Sequence, residues 1–114
     1  MTEGPQTVPR PEWQPVPRSG CVNVKGRLLL AREDLVLGML RFGPEATLDE
    51  RAADHRDRRD LPGGRGVVSV EDRVYTLARG QWLSWPARRL HRAWTGERGM
   101  ITLMVERLSP AVEK

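Results

Sequence analysis

The stretch GVVSVEDRVYTL, residues 66–77, restricts the fold of this chain more than any other. GVVSV (66–70) and RVYTL (73–77) are short runs rich in β-branched residues, and Glu71-Asp72 leaves two residues between them, the length of a tight hairpin. Side chains alternate along a strand, so Val74 and Thr76 face one way and Arg73, Tyr75 and Leu77 the other. Similar runs recur along the chain. Leu28 to Leu30 is apolar, and LVLGMLRF (35–42) is too short for the usual core helix and meets the turn pair Gly43-Pro44. QWLSW (81–85) follows the turn Ala78-Arg79-Gly80 and ends at Pro86. MITLMVERL (100–108) tolerates a helix, but its Ile, Thr and Val, the glycines before it and Pro110 after it favour a strand. Gly63-Gly64-Arg65-Gly66 reads as a turn. Short strands punctuated in this way predict an all-β closed barrel or sandwich, because closure removes edges that would otherwise stay unpaired.

A chain of 114 residues has room for one such core and no second domain. Small domains keep much of their surface wet and often gain stability by pairing, so a homodimer is expected. Residues 1–20 hold five of the nine prolines and no apolar run, which fits an extended arm and neither a signal peptide nor a membrane anchor. Trp13 is the residue able to pin that arm to the body. Cys21, the lone cysteine, allows no intramolecular disulfide and fits a reducing, cytoplasmic setting. The net charge of +4 comes from seventeen arginines against two lysines, and arginine is the better holder of carboxylates and phosphates. Those arginines are interleaved with acids, as in ADHRDRRD (53–60), and no aromatics alternate with them there, so nucleic acid is not an expected partner. The glycine-rich GGRG lacks the Lys-Ser or Lys-Thr of a phosphate loop.

FGPEATLDE (42–50) and the segment GRGVVSVEDRVYTLARGQWLSWPARRLHRAW (64–94) together resemble a small single-domain cupin of the RmlC-like jelly-roll superfamily. The second motif of that family runs glycine, five residues, proline, one residue, glycine, two residues, histidine, three residues and often asparagine. Here Gly80, Pro86 and His91 match, while Arg88 stands at the second glycine position and Thr95 at the asparagine position. The first motif carries two histidines and a glutamate between glycines. Set between Gly43 and Gly64, its histidine positions fall on Arg51 and Ala53, and its glutamate position on Asp57 or Arg58. The resemblance implies a cupin-type double-stranded β-helix over residues 27–108, with a proline-rich arm at 1–26 and a tail at 109–114.

In metal-binding cupins three histidines and a glutamate close on a divalent ion. The resemblance leaves His91 and Asp57 in such places, which is too few ligands for a strong site, and Arg51 would set a positive charge against the cation. If residues 51–59 form a strand, His55 and Asp57 share a face with Arg51, so His55, Asp57 and His91 define a reduced site for a divalent transition metal. The expected state is nevertheless a barrel with no resident cofactor. His91 among Trp82, Leu83, Trp85 and Trp94 has the make-up of a pocket for a small molecule, and Arg51 as the inward cation could receive an anionic head group. A metal-free isomerase, epimerase or cyclase using His91 as base and Tyr75 as acid, a metal-dependent oxygenase, and a regulatory or protein-interaction module are the alternatives.

Overall fold

The computed structural model describes residues 3–8, 11–49 and 57–107 in full, together with the backbone of residues 50–52. Its strands are β1 (Gln14–Pro15), β2 (Cys21–Ala31), β3 (Leu35–Ala52), β4 (Asp57–Val70), β5 (Arg73–Ala78), β6 (Trp82–Trp85), β7 (Leu90–Trp94) and β8 (Met100–Arg107). The all-β expectation holds. So does the hairpin: Val70 pairs with Arg73 across the two-residue turn, whose first residue, Glu71, has φ of 54°.

Two stretches expected to be turns are instead bends within long strands. β3 runs 18 residues straight through Gly43-Pro44, and β4 runs 14 residues through Pro62-Gly63-Gly64. Each strand therefore serves two sheets. The first half of β3 pairs with β8 and its second half with β7, while β2 runs along both. The first half of β4 pairs with β6 and β8, and its second half with β5 and β7. The pairings β3–β8, β8–β4, β4–β7 and β7–β3 form a closed ring of four strands, the jelly-roll barrel, with β2, β5 and β6 extending it.

Local chemistry explains the bends. At the β3 bend the Asn23 amide packs against Gly43, where a side chain would collide with it, and donates to the Pro44 carbonyl at 2.9 Å. Thr95 completes the bend by accepting from the Ala46 N–H at 2.9 Å and donating to the Gly43 carbonyl at 2.6 Å. In β4, Gly64 adopts φ of +85° where the strand passes the backbone of Gly99 and Met100, a crossing that leaves no space for a Cβ.

Burial follows the alternation of the strands. Phe42, Leu48, Leu61, Val68, Leu77, Trp85, Ala93 and Met100 fill the interior. On the first sheet, made of β2, β8 and the first halves of β3 and β4, the outward set includes Leu37, Met39, Leu103 and Val105, all half-buried. The N-terminal segment docks through β1 onto β2, and Trp13 lies beneath the guanidinium groups of Arg27 and Arg41 at 4.9 and 5.8 Å. No helix among the described residues is long and apolar enough to cross a membrane.

Arg88, at the motif's second glycine position, keeps the backbone of a glycine, with φ of 59° on an exposed side chain. Left-handed geometry costs an L-residue about 1–2 kcal/mol, and glycine gives back about 0.5–1 kcal/mol in unfolded-chain entropy. Arg88→Gly is expected to stabilise the fold by up to about 1 kcal/mol, read as a higher urea midpoint at constant m-value. A lower midpoint contradicts this.

Candidate functional site

Inside the barrel the two sheets present different chemistry to each other. On β4, Asp57 and Arg59 are two residues apart and face inward together, and both are buried. Their ion pair measures 3.0 Å from Arg59 Nη2 to Asp57 Oδ2, and Arg59 Nε adds donation to both carboxylate oxygens at 3.2 and 3.3 Å. From β8, Thr102 Oγ1 stands 3.5 Å from Nη1 and the Met104 sulfur 3.4 Å from Nη2. The guanidinium lies 4.7 Å from the ring centroid of Trp85 on β6.

His91 comes from the opposite sheet, on β7. Its ring stacks on Trp85 with centroids 4.1 Å apart and an angle of 11° between planes. Both rings are buried, Trp85 at 1% and His91 at 3% exposure, and among the described residues neither Trp85 Nε1 nor His91 Nδ1 has a hydrogen-bond partner. Burial pushes the His91 pKa below its usual value, reinforced by the charge of Arg59; the Asp57 carboxylate and the Arg89 backbone pull the other way, and Arg18 lowers it further. His91, Asp57 and Arg59 line a cavity of about 120 Å³ with Val16, Arg18, Leu40, Leu48, Met104 and Glu106. Val16 and Arg18 belong to the N-terminal segment, so the arm forms part of the cavity wall.

The residues singled out from sequence separate into groups. Asp57, Trp85 and His91 meet in the interior. The backbone of Arg51 pairs directly with that of His91, while its side chain, like all of His55, lies outside the described residues. Leu83 packs against the core and, with Tyr75, Val70, Arg73, Ser84 and Pro86, borders a second, open groove of about 690 Å³ between β5 and β6. Tyr75 is on the inner face but two strands from His91, about 10 Å of backbone spacing, and 46% exposed. Trp82 and Trp94 do not line the cavity beside His91. Trp82 points outward at 55% exposure beneath Arg58, at 4.0 Å, and Trp94 faces away from the His91 side of β7, beneath Arg92 at 4.8 Å. Arg59, Arg18 and Glu106 were not expected from the sequence.

Solved structures match this chain over most of its length. The polyketide cyclase RemF from Streptomyces resistomycificus superposes with a TM-score of 0.83 at 16% identity, covering 96% of this chain and 81% of that one. An RmlC-like cupin from Shewanella frigidimarina gives 0.76 at 19% identity, covering 87% of this chain and 85% of that one. KdgF from Halomonas sp. gives 0.74 at 17% identity, covering 88% and 90%. The fold is that of the cupin barrel. Neither a protein-family model nor a curated protein sequence matches the chain.

The cupin fold raises the question of a metal, and the described side chains in this barrel do not fit one. Among the described residues no group of three or more His, Cys, Asp or Glu is placed to hold an ion. The Asp57 carboxylate already accepts from Arg59, whose positive charge lines the same cavity.

The depressed His91 pKa makes stability pH-dependent. The unfolded histidine takes up a proton below about 6.5 while the folded one resists, so the stabilising contribution is complete above that value and falls as the pH drops below it. Chemical denaturation of wild type and His91→Asn at pH 7.5 and 5 tests this. Wild type is expected to lose more stability than the variant, by at most about 1.4 kcal/mol per pH unit. Equal losses contradict it.

Proposed function

We propose that this cupin binds a small polar molecule inside its barrel without a metal. The observation that carries the reading is an interior cavity lined by the buried polar side chains of Asp57, Arg59 and His91. The cavity volume of about 120 Å³ corresponds to about four waters at about 30 Å³ each, so the buried part of the ligand is a few heavy atoms.

A high-resolution crystal structure of protein isolated without a metal-affinity step, with elemental analysis of the same sample, tests this. The expected result is non-metal density in the cavity beside Asp57, Arg59 and His91 and well below one transition metal per chain. A cavity filled by protein side chains, or a near-stoichiometric metal, overturns the reading.

Catalysis on the bound molecule is the second reading, favoured by His91 itself. A lowered pKa leaves the ring unprotonated and able to act as general base at neutral pH. The cyclase RemF, whose fold this chain shares, lends that reading some weight.

A homodimer is supported by the outer face of the first sheet. Leu30, Leu37, Met39, Leu103 and Val105 line adjacent strands there through the pairings Leu30–Leu37, Leu37–Val105 and Met39–Leu103. An apolar face of this kind is what an isologous interface uses. Light scattering is expected to give a dimer mass for wild type and a monomer mass for Leu103→Asp. A monomeric wild type contradicts it.

A further inference from the structure

We propose that residues 11–18 form a strap across the cavity, held on the outside of the barrel by Trp13, and that its release is the route by which a small solute enters. This rests on the reading that the cavity binds a small molecule, but solute access is measurable whether or not anything binds, so the two can fail separately.

The strap reaches the cavity at two points. Among the described residues that line it, only Val16 and Arg18 lie outside the barrel strands. Val16 packs against the core beside Gly26 of β2, which leaves a notch there: a Cβ on Gly26 would meet Leu40 Cδ2 at 3.0 Å and Val16 Cγ2 at 3.9 Å. Arg18 is half-buried, and its charge acts on His91. Without these two side chains the cavity loses the part of its described wall that no barrel strand supplies.

The attachment is short because of composition. Pro11, Pro15 and Pro17 have no N–H to donate. β1 pairs with β2 over two residues, extended by the Val16 N–H donating to the Val24 carbonyl at 3.1 Å. The anchor is Trp13, beneath Arg27 and Arg41, and Arg27 also donates to the Pro11 carbonyl at 3.1 Å. Arg27 pairs with Met39, an outward residue of β3, so the anchor sits on the outer face of the sheet while Val16 reaches the inner one. The strap therefore wraps the β2 edge. At its far end the Cys21 N–H donates to the Arg18 carbonyl at 3.2 Å and Gly20 takes φ of +82°, a tight turn about which residues 11–18 can swing. Within residues 11–20 only Trp13, Val16 and Arg18 are half-buried and the rest are exposed, so little apolar surface opposes release. The prolines keep the freed segment extended, which limits the entropy lost when it docks again.

His91, at 3% exposure, reports on opening. Diethyl pyrocarbonate acylates an unprotonated imidazole, and its rate at His91 is read by peptide mass spectrometry of the full chain near neutral pH. Trp13 does not line the cavity, so Trp13→Ala changes the anchor and not the site. It is expected to raise the His91 rate about tenfold, the combined worth of two exposed cation–π contacts. A second variant locks the strap. Val16 and Val24 form a hydrogen-bonded pair, which makes Pro15–Lys25 a non-hydrogen-bonded one, with Cα atoms about 4.5 Å apart and within disulfide range. Pro15→Cys with Lys25→Cys, in a Cys21→Ser background and oxidised, is expected to slow His91 modification about tenfold or more against the Cys21→Ser parent. Amide exchange in the hairpin 66–77 separates strap release from loosening of the barrel and is expected to be unchanged in Trp13→Ala. A His91 rate unaltered by Trp13→Ala, a rate unaltered by the crosslink, or hairpin exchange accelerated by the same factor as the His91 rate overturns the strap. Each of these leaves the cavity reading standing, since that is decided by what density the cavity holds.

Discussion

A carboxylate and a guanidinium held 3.0 Å apart inside the barrel set the terms for everything around them. Removing either partner alone leaves a buried charge unpaired, at a cost of about 3–5 kcal/mol, so each keeps the other in the interior. Two apolar side chains could fill the same space with no such liability. The pair is therefore better explained by what it presents to the cavity than by any gain in stability. Trp85 lies against the guanidinium and stacks on His91, and the charges of the pair act on the imidazole directly, Arg59 lowering its proton affinity and Asp57 raising it.

The strands were legible because alternation and turn chemistry are local. The hairpin at Glu71-Asp72 needed only its own twelve residues, 66–77, to be read. Gly43-Pro44 and the glycines at 63, 64 and 66 misled because the same residue types that end a strand also let it bend. What distinguishes the two outcomes lies elsewhere in the chain: Asn23 and Thr95 for the first bend, and the passing backbone of Gly99 and Met100 for the second. Such partners are tens of residues away in sequence.

The site was legible in proportion to how far period-two alternation was applied. His91 came from motif spacing, and Asp57 from its place on the inward face of a strand. Arg59 shares that face by the same arithmetic, yet inside DRRD (57–60) it reads as one of a solvated charge run. The run has two sides. Arg58 and Asp60 pair with each other on the outside at 2.7 Å, while Asp57 and Arg59 pair within. Alternation also separates the tryptophans: Trp82 and Trp85 are three residues apart on β6, as His91 and Trp94 are on β7, and an odd interval puts side chains on opposite faces. Arg18 and Glu106 carry no such signal, since the first depends on where the arm docks and the second on a pairing with Asp57 across sequence-distant strands.

The four-strand ring has a consequence for how the protein comes into being. β8 is paired with β3 on one side and β4 on the other, so the circuit cannot close until residues 100–107 are available. On the ribosome, the Asp57–Arg59 pair therefore waits for Thr102 and Met104 to be synthesised before its surroundings exist. With most contacts joining distant parts of the sequence, folding is paid for by loop closure before those contacts form, and barrel assembly belongs to the slow, late-committing end of small-domain behaviour.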